Sequence, residues 1–305
     1  MRRPASPIHI WNRSRRVVEV EKVLGGKWIE FGYQKALIRK FVNSWLIQRF
    51  LSHFVGWFQK SVFSKASIER FVKDYEIDMS PYEKPLHEFE NFNDFFIRRF
   101  KTQAVNFPQD LKILGSPCEA RLSVFSITSN DVQMTLKDTK INFSKLWPHQ
   151  ILPQNPMDFI GGHVWVFRLC PVDYHRFHFC DAGLPGQPHR VSGKLGSVNP
   201  TALNIFPSTF VENERQATFF ESQNFGKMVF VEVGALCVGK IKQTFKSQSS
   251  VVRGQEKGFF EFGASTVLMV THSKSVEPDP DLIEKTNSGF ESRIGLGEAI
   301  GKTKT

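Results

Sequence analysis

The chain has 305 residues, enough for one large domain or two modest ones, with an ordinary globular apolar fraction of 41% and an unusual 30 phenylalanines. A net charge of +10 and a sequence pI near 9.5 favour polyanionic partners, either nucleic acid or an anionic membrane surface. The four cysteines, Cys118, Cys170, Cys180 and Cys237, form no C-x-x-C pair, which argues against structural zinc and leaves free thiols in a reducing cytoplasm as the expectation. Met1-Arg2-Arg3-Pro4 leads into no apolar signal region, and no apolar run of about 18 residues exists to span a bilayer.

From Trp28 to Phe63 apolar residues recur at three and four (Leu46, Ile47, Phe50, Leu51, Phe54, Trp57, Phe58), which predicts a helix. Basic residues are interleaved (Lys35, Arg39, Lys40, Arg49, Lys60). Residues 1–60 hold 12 Lys and Arg against Glu19, Glu21 and Glu30, a local excess of nine that carries most of the net charge. A basic helix with a Trp/Phe/Leu face lies in a bilayer interface, or else packs on a core with its basic face in water. A further helix is expected over Ser67–Tyr75. Another, over Phe92–Phe100, should have Asn93 or Asp94 near its start.

Beyond about residue 110 the texture changes to short strands and turns. Expected strands are Leu122–Ile127, His163–Leu169, Gly193–Val198, Gln216–Ser222, Lys227–Val233, Val238–Thr244 and Ser265–Val270. The fold class is therefore α+β. A helical, basic, membrane-associating region (1–105) precedes a mainly β, sandwich- or barrel-like catalytic domain (106–305). The end, Asn287–Thr305, is rich in Gly and charge and reads as an exposed tail or short helix.

Three segments carry candidate chemistry. Ser116-Pro117-Cys118-Glu119 sets an acid after a turn. Asp173-Tyr174-His175-Arg176-Phe177-His178 sets two histidines three apart, too few ligands for a metal but suited to serine activation. Gly263-Ala264-Ser265-Thr266 places a hydroxyl beside the preceding carbonyl at the mouth of a strand. There the hydroxyl can attack, turn the peptide into an ester and, after elimination, leave a pyruvoyl ketone. Each segment alone is also compatible with ordinary structural roles.

Together these segments resemble phosphatidylserine decarboxylases, the type II bacterial branch most closely. The likeness runs over nearly the whole chain, including Tyr75-Glu76-Ile77-Asp78-Met79-Ser80, Phe92-Asn93-Asp94-Phe95-Phe96, Arg168–Phe179, Ser197-Val198-Asn199-Pro200, Phe225-Gly226-Lys227 and Val231-Glu232-Val233-Gly234-Ala235. The resemblance implies a zymogen that cleaves itself between Ala264 and Ser265, giving a β chain (1–264) and an α chain (265–305) that stay together, with further homo-oligomerisation open. Ser265 would become the pyruvoyl group, which binds the substrate amine as a Schiff base. His178 would be the base for self-cleavage, Glu119 its acid, and His175 the histidine of decarboxylation. The substrate would be phosphatidylserine at an anionic surface on the cytoplasmic face of a bacterial cell membrane, the product phosphatidylethanolamine.

Such chemistry needs an electron sink for the carbanion left by CO2, and a protein-bound ketone supplies it without pyridoxal phosphate or metal. Two departures stand out. Glu119-Ala120 replaces the family's usual Asp-Gly, and Ala264 replaces the usual Gly before the serine. They keep open a processing-deficient relative that only binds phosphatidylserine. A basic nucleic-acid-binding β module is the alternative from charge, disfavoured because Lys and Arg of residues 110–305 are scattered among acids. A pyruvoyl decarboxylase of a soluble amino acid is disfavoured by the membrane-like N-terminal region.

Overall fold

The computed structural model describes residues 7–21, 45–128, 131–134, 139–142, 145–147, 156–198, 208–235, 240–263, 265–273 and 275–304. Ten strands build its principal sheet. Nine follow one another in the order His189–Val191, Arg215–Ser222, Gly226–Gly234, Ser265–Thr271, His163–Leu169, Ala120–Ser126, Glu291–Ile294, His9–Asn12 and Val17–Val20, and Gly183–Pro185 pairs beside Arg215–Ser222. Every pairing in it is antiparallel except that of His9–Asn12 with Glu291–Ile294. The central strand Ser265–Thr271 is buried at every position, and its Thr, Val, Leu and Met side chains suit a strand covered on both faces.

Cover comes from two elements. The helix Pro280–Asn287 lies on Ala120–Ser126, where Thr286 Oγ1 accepts the Val124 N–H at 3.0 Å. A second sheet, ordered Ile241–Gln243, Glu256–Phe260, Arg176–His178, adds Phe177 and Phe260 to the same core as Trp165, Phe167, Phe220 and Phe230. The two sheets also meet through charge. Lys257, fully buried, donates from Nζ to Glu232 Oε1 at 2.8 Å, to Gln243 Oε1 at 3.0 Å and to Thr218 Oγ1 at 3.1 Å. Burial pulls its pKa below the ordinary lysine value while Glu232 opposes that shift. Removing one partner strands the other charge without water. Lys257→Ala should therefore lower the free energy of unfolding by about 3–5 kcal/mol in urea titrations, and pairing Lys257→Met with Glu232→Leu should recover most of that loss.

Several sequence expectations need correction. The N-terminal region is not wholly helical: His9–Asn12 and Val17–Val20 form a hairpin that extends the principal sheet. Its Glu21 follows into a buried ion cluster, accepting from Arg121 Nε and Arg168 Nη2 at 2.9 Å each, and this pulls its pKa down to about 2 against the cost of burial. Arg168 is also clamped by Glu291. Asn287–Thr305 is neither tail nor helix beyond Asn287 itself; it supplies the strands Glu291–Ile294 and Ala299–Thr303. Gly193–Val198 is not a strand, because only Lys194 forms an isolated bridge, to Asn213. The strand expected over Val238–Thr244 is confined to Ile241–Gln243, residues 236–239 lying outside the described residues.

The long N-terminal helix is observed over Trp45–Gln59; the part expected over 28–44 lies outside the described residues. The short helix is Phe92–Phe96, and its N-cap is Asn91, whose side chain accepts the Asp94 N–H. With Ala66–Asp74 it builds a second, aromatic core from Ile68, Phe71, Phe89, Phe92, Phe95 and Phe96. Phe262 and Val172, from the β region, pack against this cluster.

Candidate active site

Ser265 opens the central strand between two neighbours, paired with Gly234 on one side and Leu169 on the other. Directly opposed residues of an antiparallel pair project to the same face. Ser265 thus shares a face with Gly234, and two residues further along with Glu232, which meets the second sheet. The Ser265 side chain is fully buried, and its Oγ has no hydrogen-bond partner among the described residues. An orphaned, desolvated hydroxyl is costly unless something uses it. Before it, Gly263 adopts φ +144°, a backbone state that side-chain-bearing residues rarely enter, and Ala264 lies outside the described residues. The approach to the turn is fixed at Phe262, whose N–H donates to Asn93 Oδ1 at 3.0 Å while its ring packs against Phe92 and Phe96.

The same Phe96 ring lies 3.7 Å, centre to centre, from the imidazole of His175. His175 is fully buried, and its Nδ1 sits 2.9 Å from the Asp173 carbonyl. A carbonyl only accepts, so Nδ1 carries the proton and Nε2 presents the lone pair. Nε2 has no partner among the described residues. Burial drives the His175 pKa down to about 3. The strand Arg176–His178 follows, and the Phe260 N–H donates to the His175 carbonyl, tying this segment to the chain that leads into Ser265.

His178 is nearly buried, its pKa lowered to about 4 by burial, with Nδ1 unpartnered among the described residues. Its main-chain N–H donates to the Pro117 carbonyl at 2.8 Å, which brings the turn bearing Glu119 alongside. The Glu119 residue is half-buried with its carboxyl turned inward, where it accepts the Tyr174 N–H at 3.2 Å. Burial and then Asp173 raise its pKa, against Arg98, Arg121 and Arg293. Glu119 and His178 are thus neighbours in the fold, but no side-chain hydrogen bond between them occurs among the described residues.

Sequence reading missed Arg98. It is buried over the rings of Tyr82 and Phe95 at 4.6 and 4.8 Å, and its Nη2 donates to the carbonyls of Val172 at 2.7 Å and Asp173 at 3.2 Å. It therefore pins the loop that presents Glu119's donor and His175's acceptor. Only the repeated Arg98-Arg99 beside an aromatic run could have hinted at it.

Both histidines are neutral in the fold near pH 7 and would carry a proton in the unfolded chain below about pH 6.5. The unfolded state then binds more protons, so stability falls as pH drops from about 6.5 towards about 4. Glu119, raised by burial, acts in the opposite sense. Urea midpoints taken across this window should decline with acidity, and His178→Gln together with His175→Gln should flatten the decline.

Two cavities reach the site. One of about 330 Å³ is walled by Gly234, Ile241, Lys240, Glu261, Trp57 and Lys60, among others. It abuts the strand partner of Ser265 and the chain just before the turn. The other, about 530 Å³, is bounded by Phe100, Asn106, Tyr174, His178 and Arg253, and gives His178 a route to solvent. Among the described residues no group of three or more His, Cys, Asp or Glu is placed to hold a metal ion.

A buried serine hydroxyl with no partner among the described residues, set near two histidines and a glutamate in adjoining segments, suits serine-centred acyl-shift or acyl-transfer chemistry. Comparison with known proteins narrows this. The family model for phosphatidylserine decarboxylase matches residues 92–302. A phosphatidylserine decarboxylase proenzyme of Clostridium perfringens (strain SM101 / Type A) is 38% identical over 294 residues, covering 96% of this chain and 99% of that one. Those of Clostridium botulinum (strain Langeland / NCTC 10281 / Type F) and Clostridium tetani (strain Massachusetts / E88) are each 35% identical, over 97% of this chain and 100% and 98% of theirs. The chain belongs to the phosphatidylserine decarboxylase family, and is a decarboxylase of the kind made as a proenzyme.

Proposed function

We propose that this chain cuts itself at Ala264–Ser265 and then converts phosphatidylserine to phosphatidylethanolamine and CO2. The observation that carries the reading is the Ser265 hydroxyl, buried and without a hydrogen-bond partner among the described residues, two positions after Gly263 at φ +144°. It fits a precursor of a pyruvoyl group, since a hydroxyl without a hydrogen-bond partner is free to attack the carbonyl before it. His178, neutral and open to a cavity, takes the hydroxyl proton at an imidazole nitrogen. Glu119 steadies the resulting positive charge across the turn. The pyruvoyl ketone, once formed, supplies the electron sink for the carbanion left by CO2. His175 then handles the proton: its Nε2 lone pair accepts one from the substrate ammonium and returns it to Cα. The chains 1–264 and 265–305 remain joined, because Ser265–Thr271 is hydrogen-bonded on both sides by strands of the longer chain. The reading is tested by the masses of the purified chains together with CO2 release from phosphatidylserine.

The substrate is a lipid, and the described N-terminal helices suit an approach from the surface of an anionic, cytoplasm-facing membrane. Phe54, Trp57, Phe58, Val62 and Phe63 are exposed, Phe63 at 80%, and Trp57 stands at the mouth of the cavity beside Gly234. No described helix is long and apolar enough to cross a membrane. Replacing Trp57 and Phe63 by Ser should weaken binding to phosphatidylglycerol vesicles by roughly tenfold or more, by loss of two exposed aromatic side chains that would bury in the bilayer interface. Unchanged vesicle binding would sink this part of the reading.

A further inference from the structure

The cavity beside Gly234 holds a positive charge that no acidic group answers among the described residues. Lys60 faces Glu261 at 2.9 Å, and Arg190 faces Glu214 at 2.8 Å. Lys240 is the wall's remaining lysine or arginine, exposed, with no acidic partner among the described residues. Its backbone is not free to wander: its carbonyl accepts the Glu261 N–H at 3.0 Å, and Ile241 pairs with Phe260. Lys240 is thus fastened across from the segment that ends at Ser265.

Gly234 sets the distance. A Cβ there would lie 3.3 Å from the Glu214 carbonyl oxygen, 3.6 Å from Leu195 Cδ2 and 4.0 Å from Ile241 Cδ1, all residues of the cavity wall, so a side chain at this position would crowd the cavity where glycine leaves room. Ser265 projects from the neighbouring strand to that same face, about 4.8 Å away. In a phosphoserine diester the phosphorus is three bonds of about 1.5 Å from Cα. A head group whose amine reaches residue 265 can therefore lay its phosphodiester over Gly234, in the cavity that Gly234 helps to line. After Lys60 and Arg190 are matched by Glu261 and Glu214, the surplus is one positive charge, and a phosphodiester carries one negative charge. We propose that Lys240 binds the phosphodiester of the phospholipid head group in the cavity floored by Gly234.

This rests on the reading of the chain as a phosphatidylserine decarboxylase, so the test has one arm that does not require turnover. Glycerophosphoserine is titrated calorimetrically into the full-length Ser265→Ala chain, with Lys240 intact or changed to Gln or Arg. Lys240→Gln should weaken binding about tenfold, as loss of a charge-assisted hydrogen bond does, while Lys240→Arg stays within about threefold. Free serine, lacking the phosphate, should distinguish none of the three. In the processed enzyme acting on phosphatidylserine in neutral detergent micelles, Lys240→Gln should raise KM about tenfold with kcat within about twofold and cleavage complete. Equal glycerophosphoserine affinities, no detectable binding to any chain, an equal loss for free serine, or a variant that no longer cleaves would each overturn the assignment. Failure of the parent reading looks different: a wild-type chain that stays whole or releases no CO2, whatever the calorimetry shows.

Discussion

Ser265→Ala is expected to stay a single chain of 35.0 kDa and to release no CO2 from phosphatidylserine, whereas the unaltered protein should separate on denaturation into residues 1–264 and 265–305. The magnitude is all or none, because the hydroxyl oxygen is both the attacking atom and the group later eliminated. The fold should not suffer. Ser265 Oγ is buried with no partner among the described residues, so its removal breaks no hydrogen bond and relieves a desolvated polar atom. The variant should unfold at the same urea concentration as the unaltered precursor or slightly higher. A clear loss of stability would mean that the serine has a structural task instead. Intact mass and a urea titration on the same preparation separate the two. The shorter chain should also resist N-terminal sequencing, since its first residue would no longer carry an amine.

What could be read from the sequence divides along a physical line. Ser265–Thr271 and His163–Leu169 announce themselves, because each holds an apolar run, Val267–Val270 and Val164–Phe167, long enough to fill both faces of a central strand. Glu291–Ile294 does not, since its place in the sheet is secured by the Glu291 clamp on Arg168, and an ion pair leaves no periodicity. The His9–Val20 hairpin was hidden by the same device, Glu21 reaching two buried arginines. Gly193–Val198 misled in the opposite direction: among the described residues it makes a single isolated bridge, Lys194 to Asn213, and joins no sheet. At the site, the serine, the two histidines and the acid were legible as motifs. Gly234 and Lys240 were not, because only strand register sets a glycine 31 residues upstream opposite Ser265. Arg98 was equally invisible, as its targets are carbonyls 74 and 75 residues away.

His178→Ala and His175→Ala should fail at different stages. His178 lines a cavity, beside the Glu119 turn through the bond from its N–H to Pro117. Loss of a positioned general base costs about 10²–10⁴ in rate, so the His178→Ala precursor should persist as one chain through times in which the unaltered protein is fully cut. Its fold has little to lose, since Nδ1 makes no hydrogen bond among the described residues. Glu119→Gln should behave as a milder version, because the amide oxygen still accepts the Tyr174 N–H while the charge opposite the imidazolium is gone. His175 sits one layer deeper, between Phe96 and the Asp173 carbonyl, with Nε2 as its only available nitrogen. If that nitrogen shuttles the substrate proton, His175→Ala should still cleave into two chains yet lose about 10²–10⁴ in kcat for CO2 release. Quenched time courses read cleavage on denaturing gels, and CO2 capture reads turnover. If both variants stall at the precursor, the two imidazoles serve one step, and the assignment of His175 to decarboxylation is wrong. If both cleave normally, His178 is not the base. Only the split, one uncut chain and one cut but silent enzyme, agrees with two histidines three residues apart that face a cavity and a closed aromatic pocket.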